Sequence, residues 1–161
     1  MTQYTTNVQA TSNSSINTED LFLELKAAAG TTIKIKRVRV GFSDGTATAG
    51  VDNHFRVRLY RYTTTTAGTT GTPGVDRVPR NVNSNAATAT SKGKATTTAC
   101  VIGTTSVTTS DIVSVNGRAL YEWLARDDDD MIVTLTAGCF CVAIQSAVAS
   151  QLFTVTVDHV E

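Results

Sequence analysis

The chain has 161 residues and a mass of 17.1 kDa, which fits one domain of ordinary size. Its 14 basic and 14 acidic residues cancel, so no overall field draws the chain to nucleic acid or to a membrane surface. The polar start does not resemble a secretory signal, and no apolar stretch approaches the roughly 18 residues that span a bilayer. Three cysteines are an odd number, which argues against a full disulfide framework and agrees with assembly in a reducing cytoplasm.

The first nineteen residues are polar, and we predict that residues 1–19 form an arm ahead of a single β-domain at 20–161. The dominant pattern in that domain is an alternation of apolar and polar residues, which is typical of strands with one buried face. The first such strand is expected to place three leucines on one face: Leu21, Leu23 and Leu25.

The second strand of the domain changes its alternation part of the way along. Ile33 and Ile35 precede the basic pair Lys36-Arg37, and Val38 and Val40 follow it with the opposite parity. One extra residue at this pair would keep both halves of the strand on the same core. The sequence therefore predicts a β-bulge at Lys36-Arg37.

The next strand, at residues 54–62, has a basic and aromatic outer face. Its inward residues are expected to be Phe55, Val57 and Leu59. Tyrosine and arginine are enriched at protein interfaces. We therefore take as interface candidates the outer residues of this strand and the basic residues of the preceding one: Arg56, Arg58, Tyr60, Tyr62, Lys36, Arg37 and Arg39.

Residues 63–98 are rich in Thr, Gly and Ala and contain both prolines, so we expect one long loop. It is either mobile or ordered from outside the domain, for example as an arm laid over a neighbouring subunit with Val75, Val78 and Val82 as anchor points. Strand patterns resume at 97–102, 112–115, 131–136, 140–144 and 152–160. In the last of these, apolar residues expected to face inward alternate with polar ones: Phe153, Val155 and Val157. The segment 120–124 fits either a strand or a helix, and its shortness and aromatic content favour a strand. About eight to ten short strands with long loops predict an all-β fold, an antiparallel β-sandwich or barrel.

Few side chains of this chain are suited to catalysis or to binding a cofactor. A hydrolase needs a nucleophile or an activated water with a positioned base, but neither of the two histidines, His54 and His159, has such a context. Cys139 and Cys141 fall on one side of a strand, too far apart for an easy disulfide, and burial as small apolar residues is the favoured interpretation. We therefore expect no enzyme activity and no cofactor.

The acidic run is the most concentrated charge in the chain and comprises Asp127, Asp128, Asp129 and Asp130. It is a weak candidate for calcium, and the alternatives are a solvated loop or a contact with a basic partner. The charges are also divided along the chain: seven basic against two acidic residues at 34–61, and eight acidic against two basic residues from 111 onward. Such a chain can bind copies of itself or a similarly divided partner, or it can pair these charges internally.

The order of the segments resembles a known family. The apolar stretch at 21–25, the basic strand that ends at Phe42, the strand at 55–61, the segment 120–123 and a closing strand that ends on Glu161 follow one another as in small phage head proteins that decorate or cement capsids. The resemblance covers roughly residues 20–161. It rests on pattern and order, because no catalytic motif is involved.

The resemblance implies a jelly-roll-like sandwich that assembles as a homotrimer on the outer surface of an icosahedral head in the virion. Such a protein bridges neighbouring major capsid protein subunits and contacts neither nucleic acid nor membrane. The alternative is a carbohydrate- or receptor-binding module of a phage tail or fibre. In that case Tyr121, Trp123 and the acidic run at 127–130 would form its site.

Overall fold

The computed structural model describes residues 1–12, 19–42, 54–62, 72–73, 77–81, 83, 85–94, 107–127, 132–134, 138–147 and 150–161. Within these ranges the chain forms twelve strands: β1 Gln3–Thr11, β2 Glu19–Lys26, β3 Lys34–Phe42, β4 His54–Tyr62, β5 Thr72–Pro73, β6 Arg77–Pro79, β7 Thr90–Gly93, β8 Val107–Asn116, β9 Tyr121–Leu124, β10 Ile132–Val133, β11 Cys139–Ser146 and β12 Leu152–Val160. The ambiguous segment at 120–124 is a strand, as predicted. The same ranges contain no helix long and apolar enough to cross a bilayer.

The strands form two six-stranded antiparallel sheets. Sheet A has the order β10-β3-β12-β1-β6, and β9 pairs with β3 next to β10. Sheet B has the order β5-β7-β2-β11-β4-β8. The apolar faces of the two sheets enclose one core, so the predicted antiparallel β-sandwich is confirmed.

Eight of the strands are paired in a nested way. The first pairs with the last (β1 with β12), and the next pairs inward are β2 with β11, β3 with β9 and β4 with β8. This is a long hairpin folded over on itself, which is the strand order of a jelly roll. The strands outnumber the predicted eight to ten because β1 was not predicted and because β5, β6 and β7 are only two to four residues long, too short for a clear periodic pattern.

The core is built from the alternating residues of both sheets. Phe153 lies at its centre, and the rings of Phe22, Phe42 and Phe55 meet it at centroid distances of 5.7, 5.7 and 5.1 Å in edge-to-face arrangements. The residues predicted to face inward from β4 and β12 are buried: Phe55, Val57, Leu59, Phe153, Val155 and Val157. The alternation in these two strands therefore identified core positions correctly.

The bulge predicted in β3 is present. Asp158 lies opposite Arg37 and His159 lies opposite Ile35, so Lys36 is an extra residue without a paired residue on β12. Ile35 and Val38, which flank the bulge, are both fully buried. The extra residue keeps the two halves of β3 on one core, as the change of parity required.

A second bulge, in β2, was not predicted and corrects the expected leucine face. Val142 lies opposite Leu23 and Ala143 lies opposite Leu21, which leaves Phe22 as the extra residue. Phe22 and Leu23 both enter the main core, whereas Leu21 packs into a smaller cluster on the other face of sheet B. Because β2 is apolar at both parities, its alternation could not show where the register shifts.

The predicted N-terminal arm is wrong for the residues that form β1. Residues 3–11 pair with β12 along nine consecutive positions, and β6 pairs with the other side of β1. The side chains that point inward are buried: Tyr4, Thr6, Val8 and Ala10. Because these inward residues are one tyrosine, one threonine and two small apolar residues, the two faces of β1 differ little in hydrophobicity. The sequence therefore shows no clear period of two in this strand. Residues 13–18 lie outside the described ranges.

The long loop predicted at 63–98 is also corrected in part. It contains β5, β6 and β7, which extend both sheets through pairing with β1 and β2. Hydrogen bonds of the backbone hold these short strands in place, and such bonds need no apolar side chains. The other residues of this stretch and the strand predicted at 97–102 lie outside the described part of the chain.

A charged pair is buried inside the sandwich. The Lys94 ammonium lies 2.8 Å from a carboxylate oxygen of Asp20, and the two side chains are 1% and 0% exposed. The ammonium nitrogen also lies 5.3 Å from the centroid of the Phe22 ring. The pair joins β2 to the residue that follows β7, on the inner side of sheet B.

Glu161 holds the segment before β7 against the end of β12. Its carboxylate accepts hydrogen bonds from the backbone and hydroxyl of Thr88, both at 2.7 Å, and from the backbone of Ala89 at 3.1 Å. Burial alone would raise the pKa of Glu161, but hydrogen bonds from His159, Thr88 and Ala89 outweigh it and lower the pKa to about 2. Folding therefore favours the ionised carboxylate.

The stability of the fold is expected to fall in acid through Glu161. The stabilisation is complete above the ordinary pKa of 4.5 and is lost as the pH falls toward about 2, because the unfolded state then binds the proton more tightly. We expect Glu161 to contribute roughly 2 kcal/mol to the difference in the free energy of unfolding between neutral pH and about pH 3, measured by urea unfolding. Glu161→Gln should flatten the curve of unfolding free energy against pH, whereas Glu122→Gln, at an exposed carboxylate, should leave that curve unchanged. Parallel curves for Glu161→Gln and the natural chain would refute this role.

Candidate functional site

One row of side chains crosses the outer face of sheet A. Successive pairings across β9, β3, β12, β1 and β6 align Leu124, Arg37, Asp158, Thr5 and Val78. Residues paired directly across an antiparallel ladder project to the same side of the sheet. The row therefore places two apolar side chains at its ends and a charged cluster at its centre.

The centre of the row is a well-bonded carboxylate. Asp158 accepts hydrogen bonds of 2.6 Å from the Thr5 hydroxyl and from Nε of Arg37, and Nη2 of Arg80 lies 3.4 Å away. Burial by itself raises the pKa of Asp158, but the bonds from Thr5 and Arg37 and the charge of Arg80 hold it below its ordinary value. Asp158 thus stays ionised and keeps the guanidinium groups in place.

The ends of the row are exposed to an unusual degree. Apart from Met1, three large apolar side chains in the described ranges are more than half exposed: Val78 at 56%, Leu120 at 60% and Leu124 at 58%. Leu124 and Val78 are the two ends of the row. Leu120 lies on the same side of the molecule, because a Cβ placed on the outward-facing Gly41 would lie only 3.5 Å from Cδ1 of Leu120. Exposed apolar side chains grouped on one face mark a contact surface.

A cleft of about 190 Å³ opens beside the row, at the bulge of β3. Three cationic side chains (Lys36, Arg37 and Arg80) line it with a single carboxylate, Asp158, and with Leu124. None of the ion pairs found among the described residues involves Lys36. The cleft therefore carries an excess of positive charge.

Arg39 lies further along the same strand, opposite Glu122 of β9 and Thr156 of β12. Its Nε is buried and has no hydrogen-bond partner within the described ranges. We call the outer side of sheet A that carries these groups the basic face, and define it by Lys36, Arg37, Arg39, Arg80, Val78, Leu120 and Leu124.

The other interface candidates lie on the opposite side of the sandwich, on the outer face of sheet B. Arg58 forms an ion pair of 2.8 Å with Glu19, and the Tyr60 hydroxyl donates to the same carboxylate at 2.5 Å. Tyr60 is buried, and burial together with the bond to Glu19 raises its pKa to about 12. Arg56 is exposed, and Tyr62 ends β4 opposite Val107 and Cys139.

The predicted interface is therefore two surfaces, and they differ. On sheet B, Arg58 and Tyr60 bond to Glu19 and Arg56 is exposed, whereas on sheet A neither Lys36 nor Arg39 forms an ion pair within the described ranges. The sequence did not indicate Arg80, because it lies in the segment predicted to be a loop. It also missed the pairing of Arg37 with Asp158, which neutralises part of the divided charge within one chain.

The acidic run contributes no site in the described residues. Asp127 is exposed and follows β9, whereas Asp128, Asp129 and Asp130 lie outside the described ranges. Within those ranges no three side chains of His, Cys, Asp or Glu are grouped as metal ligands. The calcium interpretation therefore stays a sequence-based prediction.

The thiols of β11 behave as apolar side chains. Cys139 and Cys141 are fully buried and form no disulfide, which confirms the predicted burial. Burial, with a smaller effect from Glu24, raises the pKa of Cys139 to about 11. Since the thiolate is the reactive form, this thiol is inert at neutral pH.

The aromatic residues of β9 do not form an exposed platform. Tyr121 lies opposite Val40 and Trp123 opposite Val38, both of which face the core. Tyr121 is buried, and its hydroxyl donates to Asp111 at 2.6 Å. A sugar could not stack on the Tyr121 ring in this arrangement, because stacking needs an open face.

No family model, no curated protein and no solved structure matches this chain. What the site can do follows from its own geometry. The basic face offers positive charge, fixed hydrogen-bond donors and exposed apolar side chains on a rigid sheet. This combination suits binding to another macromolecule through a broad surface.

Proposed function

We propose that this chain is a structural protein of a virus particle, a capsid decoration or cement protein. It binds the outer surface of an icosahedral phage head through the basic face and bridges neighbouring subunits of the major capsid protein. The observation that carries the proposal is the group of exposed apolar residues beside a cleft lined by three cations and one carboxylate, within the described part of sheet A. The jelly-roll strand order is compatible with this role, since such sandwiches are frequent in viral capsids.

The physical work of such a protein is to stabilise the assembled shell. A protein that binds the assembled shell and not its free subunits shifts the equilibrium toward the shell by mass action. Many copies, each adding a few kcal/mol, make dissociation of the head steeply less favourable. A rigid sandwich suits this work, because a preformed face loses little conformational entropy on binding.

The proposed assembly is a homotrimer on the head surface, formed in the host cytoplasm before or during binding to the particle. In this proposal, different surfaces of the sandwich make different contacts. The basic face is directed to the major capsid protein, and other surfaces of the chain meet its copies. The interactions are with protein, and neither nucleic acid nor membrane is a partner in this proposal.

Charge reversal on the two faces tests which one binds the head. Lys36→Glu is expected to weaken co-sedimentation with heads that lack this protein by about tenfold or more, because the substitution puts a carboxylate into the cationic cleft. Arg56→Glu, the matched reversal at an exposed site on sheet B, should bind within about twofold of the natural chain. Binding is measured by titration and quantitative gel analysis of the pellets.

Particles made with and without this chain complete the test. We expect hundreds of copies per head and a lower temperature of DNA release when the chain is absent. Heads of unchanged composition and unchanged thermal stability would refute the decoration role. Copies found only in purified tails, with calcium-dependent binding to glycans, would favour the receptor-binding alternative.

A further inference from the structure

The cleft at the β3 bulge has a specific chemical asymmetry. Arg37 and Arg80 both approach Asp158, but Arg37 does so at 2.6 Å and Arg80 only at 3.4 Å with its side chain 48% exposed. Lys36, the extra residue of the bulge, lines the same cleft and forms no ion pair with any residue that the structure describes. One internal acid therefore faces three cations.

The internal carboxylate, Asp158, indicates what kind of ligand these cations bind. Asp158 is bound by hydroxyl and guanidinium donors fixed on β1 and β3, which is the charge-assisted geometry that arginine provides for carboxylates. Lys36 and Arg80 are placed to bind a second carboxylate from outside. That carboxylate would balance half of the positive charge that Asp158 leaves uncompensated among the residues lining the cleft.

Leu124 indicates which kind of group would lie next to that carboxylate in the partner. It lines the same cleft, is 58% exposed, and lies directly across from Arg37. An acidic residue that arrives with an apolar neighbour would bury this leucine while its carboxylate meets the cations. Free phosphate or a nucleic-acid backbone offers the charge but has no apolar group for Leu124.

We propose that the cleft formed by Lys36, Arg37, Arg80 and Leu124 is a docking site for an acidic side chain of a partner protein, presented next to an apolar residue. The inference rests on the proposed function and names the chemistry of its partner: a surface loop of the capsid protein with an Asp or Glu beside an apolar side chain. The bulge contributes to the site, because it adds Lys36 to β3 next to Arg37, and both residues line the cleft.

A short peptide tests the site without any particle. The probe is the blocked peptide Ala-Leu-Glu-Leu-Ala, and its control is the same peptide with Gln in place of Glu. Titration into the isotope-labelled chain is followed by amide chemical shifts. We expect shifts at Lys36, Arg37 and Leu124, an affinity at least about fivefold higher for the Glu peptide, and a loss of this preference at high salt.

Variants separate the site from general charge. Lys36→Met should abolish the preference for Glu over Gln, whereas Arg56→Met on the other face should retain it. Equal affinity for both peptides, shifts elsewhere on the surface, or stronger competition by inorganic phosphate or a short DNA strand than by the peptide would overturn the proposal. A second copy of this chain as the occupant would instead appear as concentration-dependent shifts at the same residues without peptide.

The peptide result and the particle result are independent. If the natural chain binds heads but the Glu peptide does not shift the cleft, the docking site is wrong and the decoration role stands. If the peptide binds the cleft but no particle retains the protein, the site stands with another partner.

Discussion

Replacing Lys94 with methionine is expected to lower the free energy of unfolding by roughly 3–5 kcal/mol. The substitution keeps most of the apolar stem but leaves the Asp20 carboxylate, which is fully buried, without the ammonium that lies 2.8 Å from it. A buried carboxylate that loses its counter-charge keeps its desolvation cost without the attraction that offset it, and this is the reason for the large effect. Chemical denaturation of the purified variant measures it, provided that the transition stays two-state.

A double-mutant cycle separates the ion pair from general damage. We expect Lys94→Met combined with Asp20→Asn to be at least about 2 kcal/mol more stable than the sum of the single changes predicts. Lys34→Met, at a half-exposed lysine at the start of β3, should change stability by only about 0.5 kcal/mol. Additive single effects, or a loss for Lys94→Met no larger than that for Lys34→Met, would show that the pair does not act as described.

Phe153→Ala is expected to cost roughly 3–5 kcal/mol of stability. Phe153 is fully buried and is the ring on which Phe22, Phe42 and Phe55 converge from three other strands. Truncation removes its transfer free energy, opens a cavity between the two sheets, and deletes three edge-to-face contacts at once. The midpoint of urea unfolding should fall without a change in slope.

Two further variants calibrate the loss at Phe153. Phe153→Leu keeps an apolar side chain and should cost less, about 1–2 kcal/mol. Phe42→Ala removes a half-exposed ring from the rim of the same cluster and should also cost about 1–2 kcal/mol. Equal losses for Phe42→Ala and Phe153→Ala would mean that the rings do not converge on one centre.

Much of the fold could be predicted because its strands carry a clear contrast between two faces. In β4 and β12 the alternation of Phe55, Val57 and Leu59, and of Phe153 and Val155, identified the buried side. The change of parity at Lys36-Arg37 even located a bulge, since a one-residue slip would have turned Ile35 away from the core. These are local signals, read within one strand.

The site could be predicted only in part. Lys36, Arg37 and Arg39 were identified because charge on a strand stands out in the sequence. Their separation from Arg56, Arg58 and Tyr60 depends on which sheet each strand joins, and nothing within β3 or β4 encodes that choice. Arg80 and Val78 come from a segment whose two- and three-residue strands leave no periodic trace.

The amino-acid sequence by itself determined an antiparallel sandwich, its main core faces and the position of one bulge, because each follows from the order of apolar and polar residues within a strand. The tertiary structure alone decided that residues 3–11 join sheet A, that Phe22 bulges, and that Lys94 meets Asp20. It also decided that Leu124, Arg37, Asp158, Thr5 and Val78 form one row. These features depend on pairing between strands far apart in the chain, where the free energy of the whole core selects the partner.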